Sequence, residues 1–198
     1  MEKDKTKQNS TTREFYSGSI RAVEGEGNER KFILSFSSEE AYERYSYTEI
    51  LDHSDGAVDL KRLNDIGCML FNHNRDIVTG KILRAWIEDN RGCAEVEFDT
   101  DEESEKIYQK VKNGVLKGVS VGYRITVWEE VGANKKSSDG RFTGPCMVAK
   151  KWFPYEISIV SIPADATVGV GRDFVSDETP QKSLSLYQKQ IQINNNYI

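Results

Sequence analysis

Along residues 115–126, V-L-K-G-V-S-V-G-Y-R-I-T, apolar residues alternate with small or polar ones at the period of an extended strand. Val119, Val121, Tyr123 and Ile125 fall on one face, which the pattern assigns to the core, and Gly118, Ser120 and Gly122 fall on the other. Ser120 therefore has no side chain at either same-face neighbour. An open groove is expected over its hydroxyl, with Gly118 and Gly122 letting a peptide approach. The same glycines also suit an edge or bulged strand of a curving sheet that carries an ordinary hydroxyl.

Other stretches repeat the extended pattern. Residues 18–21 and 32–36 read as strands joined by the polar, glycine-bearing turn 24–30, a hairpin. Residues 66–71, I-G-C-M-L-F, are compact and apolar enough for a buried strand. Residues 77–87 and 93–98 alternate on either side of E-D-N-R-G, with Ala94, Val96 and Phe98 inward. Two further strands are expected at 147–152 and 155–162, and Glu156 and Ser158 interrupt one face of the second.

Helical spacing is rarer. A short helix is expected within 37–47, capped by Ser37 or Ser38, with Ala41 and Tyr45 on a shared face. A helix of about three turns follows Thr100, which forms a capping box with Glu103. Ile107 and Val111 share its inner face, Lys110 and Lys112 lie near its end, and Gly114 stops it. Residues 52–65 carry loop signals and a short apolar patch, and 129–144 read as a mobile surface loop. The polar segments 1–13 and 173–198 are expected to be extensions, the first disordered, around a single domain at 14–172.

Composition narrows the classes. A chain of 198 residues, 37% hydrophobic and 30% charged, fits one globular domain with polar extensions. The net charge of -5 and the absence of a basic stripe speak against nucleic acid as a partner. No apolar run opens the chain or approaches the roughly 18 residues of a membrane span, so a cytosolic protein without a membrane partner is expected. Cys68, Cys93 and Cys146 are odd in number and lie far apart without a C-x-x-C pair. They read as reduced, structural thiols rather than disulfides or zinc ligands.

The candidate chemistry gathers at three residues. His73, one of only two histidines, stands where the apolar strand 66–71 runs into N-H-N-R-D, the position of a general base or of a histidine satisfied by a neighbouring amide or carboxylate. Glu156 is either at the exposed start of its strand or half buried against a donor such as an imidazole. With Ser120, these residues supply base, nucleophile and orienting acid for acyl transfer. Gly118 to Gly122 matches G-x-S-x-G by letter, but a helix precedes the serine and His73 comes first, which opposes an α/β-hydrolase elbow. Arg84 and Arg124 could steady an oxyanion or a substrate carbonyl, or serve as surface charge.

The chain resembles the phage prohead (capsid maturation) protease family, itself similar in fold to the herpesvirus assemblin proteases. The resemblance runs from about residue 14 to 172. It rests on the apolar run into N-H-N-R, the strand-turn-strand, D-T with a helix ending in N-G, L-K-G-V-S-V-G-Y, and E-I-S-I-V-S-I-P-A-D-A. It implies a mainly β (α+β), assemblin-like fold, a closed or nearly closed barrel with a few flanking helices. It further implies a serine endopeptidase with His73 as base, Ser120 as nucleophile and Glu156 as third member, needing no metal or cofactor. Asp76, Asp99, Asp165 or His53 could fill the third place instead. Substrates would be scaffold or capsid-protein segments and the chain itself, cleaved inside the immature capsid in the host cytoplasm, where the protease forms a homo-oligomer. An inactive capsid-assembly scaffold or binding protein with the same barrel is the alternative. V-T-G at 78–80 stands where the family commonly has a P-x-G turn.

Overall fold

The structure, a computed structural model, describes residues 11–15 and 20–162. Asp165 and the expected extensions 1–13 and 173–198 lie outside these residues, apart from Thr11, Thr12 and Arg13. Ten strands make one curled sheet: β1 (Thr11–Phe15), β2 (Arg21–Ala22), β3 (Lys31–Ser38), β4 (Tyr42–Glu43), β5 (Thr48–Leu51), β6 (Cys68–Phe71), β7 (Asn74–Glu88), β8 (Arg91–Phe98), β9 (Gly118–Val131) and β10 (Cys146–Val160). Two helices among the described residues accompany it, α1 (Lys61–Ile66) and α2 (Glu102–Lys112).

The strand order is β1-β9-β10-β6-β7-β8-β3-β2, with β5 also on β10 and β4 on β5. The path ends at β1 and β2 without a ladder joining them, so the sheet is an open half-barrel and not the closed or nearly closed barrel expected. Alternation tells each strand which face to bury, but it does not say which edges must pair.

Long β10 is the spine of the site. Its first half pairs in parallel with β5 and its second half in parallel with β6, while β9 runs antiparallel along its other edge. A bulge at Tyr155 advances two residues of β10 against one of β9. Beyond it Ile157 and Ile159 face the core beside Val121 and Val119, and Glu156 and Ser158 come to lie opposite Gly122 and Ser120. The bulge thus selects which β10 side chains share a face with the serine. The core beneath is lined by Val119, Val121, Tyr123, Trp152, Ile157 and Ile159, all nearly or wholly inaccessible. Ala94, Val96 and Phe98 point inward from β8 as their alternation required.

Local chemistry explains the departures from expectation. No helix forms at 37–47. Ser37 and Ser38 complete β3, paired with Gly92 and Arg91, and Tyr42 and Glu43 pair with Glu49 and Thr48. Arg44 is drawn inward, donating to the Tyr123 hydroxyl at 2.6 Å and to the fully buried Glu49 at 3.2 Å, while Tyr123 also donates to Glu49. Tertiary partners here outweigh a weak local preference. The apolar patch in 52–65 instead leads into α1, which buries Leu63. At α2 the cap is Asp101, one residue past the expected Thr100, and its carboxylate accepts from the amides of Glu103 and Ser104 at 3.0 Å.

The loop expected to move is pinned by ion pairs. Arg141 reaches Glu39 and, at 2.8 Å, Asp52, while Lys150 binds Asp52 and, at 2.7 Å, Asp139. Asp52 is fully buried. Burial alone would raise its pKa, but bonds from Lys150, Ser54 and Arg141 prevail and hold the carboxyl below its usual value. Lys150 and Ser137 depress Asp139 further. Carboxylates with depressed folded pKa values stabilise fully above their unfolded pKa of about 4, and that contribution is lost as pH falls through the folded values. Asp52→Asn is therefore expected to lower stability at pH 7 by about 2 kcal/mol and to flatten the loss of stability below about pH 4. Thermal melts across pH 2–7 check both effects.

Candidate active site

β6 and β7 are joined by a two-residue hairpin turn, Asn72–His73, and both residues have positive φ, 51° and 57°. Asparagine adopts this left-handed region readily and histidine more often than most residues, at a strain of order 1 kcal/mol or more. The turn is clamped to β10 and the residues after it. Asn72 donates its amide to the Ile159 carbonyl at 2.9 Å, and His73 donates its amide to Ser158 Oγ at 3.2 Å. The Asn72 side chain accepts from the Ser161 amide at 2.9 Å. The imidazole is thereby projected from the turn tip over the face of β9 and β10.

There the three candidate residues meet. His73 Nδ1 lies 2.7 Å from Glu156 Oε1, and His73 Nε2 lies 2.7 Å from Ser120 Oγ. The ionised carboxylate can only accept, so it draws the imidazole proton to Nδ1 and leaves Nε2 to accept from the serine hydroxyl. Glu156 is 7% exposed and the His73 side chain 22% exposed, so the carboxylate is shielded while the base keeps an edge toward solvent. Serine, imidazole and carboxylate in this line are chemically able to move a proton from Ser120 to His73 and to stabilise the resulting imidazolium.

The face around Ser120 differs from the open groove expected. Ser120 is fully buried. Gly122 leaves space that the Glu156 carboxylate and the Tyr155 ring occupy, since a Cβ there would sit 2.7 Å from a Tyr155 ring carbon and closer still to Glu156. Gly118 is also buried and lies opposite Val160.

The alternative third members fall elsewhere. His53 is 3% exposed, accepts from Ser37 Oγ at 2.7 Å through Nε2, and donates Nδ1–H to the Leu51 carbonyl at 2.9 Å. It forms a second Ser–His pair, but a backbone carbonyl stands where His73 has a carboxylate, and Trp152 packs edge-on against the ring. Asp76 is exposed on β7, and the Asp99 carboxylate accepts the Thr100 amide. Arg84 is exposed and stacks over Trp86 at 4.4 Å. Arg124 is half-buried on the Ser120 side of β9, two positions past Gly122. Cys68 lies near Glu156, and burial, reinforced by that carboxylate, pushes its thiol pKa up and keeps it a poor nucleophile.

Sequence reasoning gave Ser158 no task, yet its hydroxyl bonds Glu156 Oε2 at 2.8 Å. The available signal was its position two residues after Glu156, on the same face of an otherwise apolar strand. Among the described residues no cluster of histidine, cysteine and carboxylate side chains is arranged to hold a metal. No helix among them is long and apolar enough to cross a membrane.

Residues 20–180 match the family described as caudovirus prohead serine protease. The chain is also 35% identical over 150 residues to the protein named major capsid protein of Halomonas phage phiHAP-1. That match covers 74% of this chain and 23% of the relative. No solved structure matches.

Proposed function

Because the chain belongs to the caudovirus prohead serine protease family, we propose that it is a serine endopeptidase that cleaves capsid-protein or scaffold segments, and itself, within the immature phage capsid. The observation that carries this reading is the continuous line from Ser120 through His73 to Glu156, at 2.7 Å in each link. His73 Nε2 takes the Ser120 proton as Oγ attacks a peptide carbonyl, backbone amides receive the oxyanion, and the imidazolium returns the proton to the leaving amine. Water then repeats the sequence on the acyl-enzyme. Glu156 holds the Nδ1–H tautomer throughout.

The sheet suggests how a substrate is presented. β1 lies antiparallel along β9 with Glu14 opposite Ser120, so this edge accepts an extended segment. A substrate peptide takes the place of β1, its backbone pairing with β9 and giving access to Ser120. Gly118 and Gly122 flank the serine on that strand and keep its surroundings free of side chains from β9. The expected likeness to assemblin belongs to this reading, on a half-barrel rather than a closed one. A stretch similar to this chain lies within a protein named major capsid protein, which supports a capsid-protein substrate. Copies of the protease gather in the prohead, in the host cytoplasm.

Self-cleavage is open to direct test. Intact-mass spectrometry of the purified chain after prolonged incubation is expected to show trimmed ends, and Ser120→Ala is expected to keep its full mass. Equal trimming in both would assign the cut to another protease, and full-length chain in both would count against self-processing.

A further inference from the structure

We propose that Ser158 is a positioning residue of this site, setting both the Glu156 carboxylate and the His73 turn for proton transfer; the inference rests on the protease reading above. Ser158 is fully buried, stands directly opposite Ser120 on β9, and is opposite Leu70 on β6. Its hydroxyl donates to Glu156 Oε2 at 2.8 Å, and Ser158 Oγ in turn accepts the His73 amide at 3.2 Å. A hydroxyl offers one donor and two acceptor positions, so one small side chain can make both bonds.

The bonds act on different members of the relay. Glutamate has three side-chain torsions, and a bond at Oε1 alone fixes one oxygen while leaving the carboxylate plane to rotate. Anchoring Oε2 fixes that plane and presents Oε1 to His73 Nδ1. The amide bond acts on the backbone instead, tying the strained φ of 57° at His73 to the strand that bears the acid. Ser158 thus links acid and base through a path separate from their own contact. Alanine removes both bonds, and cysteine fits similar space with a weaker donor.

A fluorophosphonate, which phosphonylates an activated serine and releases fluoride, reads Ser120 reactivity in the full chain without a known substrate. Labelling rates from intact mass would be compared at a temperature well below each variant's Tm. Ser158→Ala is expected to slow labelling by about tenfold to a hundredfold at an unchanged half-saturating probe concentration, with Ser158→Thr recovering most of the rate. Ser158→Cys, expected to be intermediate, serves where the alanine variant does not fold. A merely structural serine would lower Tm without changing the rate per folded molecule. Wild-type labelling rates in the Ala and Cys variants would overturn the proposal, as would a Thr variant as slow as Ala. Failure of the wild type to label, or equal labelling of Ser120→Ala, would remove the protease reading and this inference together.

Discussion

His73→Ala is expected to reduce peptide cleavage by about a millionfold, Ser120→Ala by the same order, and the double variant by no more than either alone. That factor corresponds to about 8 kcal/mol of transition-state stabilisation. The loss is shared because the two residues act as a unit: without Nε2 the Ser120 proton has no acceptor, and without Oγ the imidazole has nothing to activate. Neither variant should unfold the protein. The His73 side chain stands at a turn tip and is 22% exposed, and Ser120→Ala removes only one oxygen from a strand whose inward neighbours Val119 and Val121 make the core contacts. Rates measured on a capsid-protein substrate, with Tm as control, separate loss of chemistry from loss of fold.

Glu156→Gln is expected to lower the cleavage rate by about ten-thousandfold, nearly isosteric though it is. The amide is neutral, so it cannot stabilise the imidazolium, and when its NH2 faces Nδ1 it favours the tautomer with the proton on Nε2, which cannot accept from Ser120. Glu156→Asp tests geometry rather than charge, since one methylene fewer withdraws the carboxylate from a 2.7 Å contact. Both variants are checked by comparing kcat and KM on the same substrate. The loss is expected in kcat, because Glu156 faces the base and not the peptide.

Much of this arrangement was legible in the sequence. The alternation of 115–126 assigned Val119, Val121, Tyr123 and Ile125 to the core and Ser120 to the opposite face; the structure packs the first three fully and Ile125 partly into the core, and buries Ser120 on the other face as well. E-D-N-R-G marked the β7–β8 hairpin, where Asp89 and Asn90 take positive φ of 50° and 56°. His73, Ser120 and Glu156, separated by tens of residues, were nominated by residue type and resemblance, and the fold brings them into contact.

What stayed hidden depends on contacts between distant segments. S-S-E-E at 37–40 has the composition of a helix start, but β8 and β5 supply strand partners that local spacing cannot reveal. Closure of a barrel depends on whether two edges pair, and among the described residues no ladder joins β1 and β2. Gly122 suggested an open approach to the serine, whereas its missing side chain makes room for Glu156 and Tyr155. The bulge at Tyr155 leaves no mark of its own: alternation sets Glu156 and Ser158 on one face of their strand, but not which residues of β9 that face lies opposite.

The most direct test is co-expression of this chain with its cognate capsid protein, alongside Ser120→Ala, reading the capsid protein's intact mass. A defined truncation is expected with the wild-type chain and full-length capsid protein with the variant. The same mass in both would contradict it and leave the half-barrel as an assembly scaffold or binding protein.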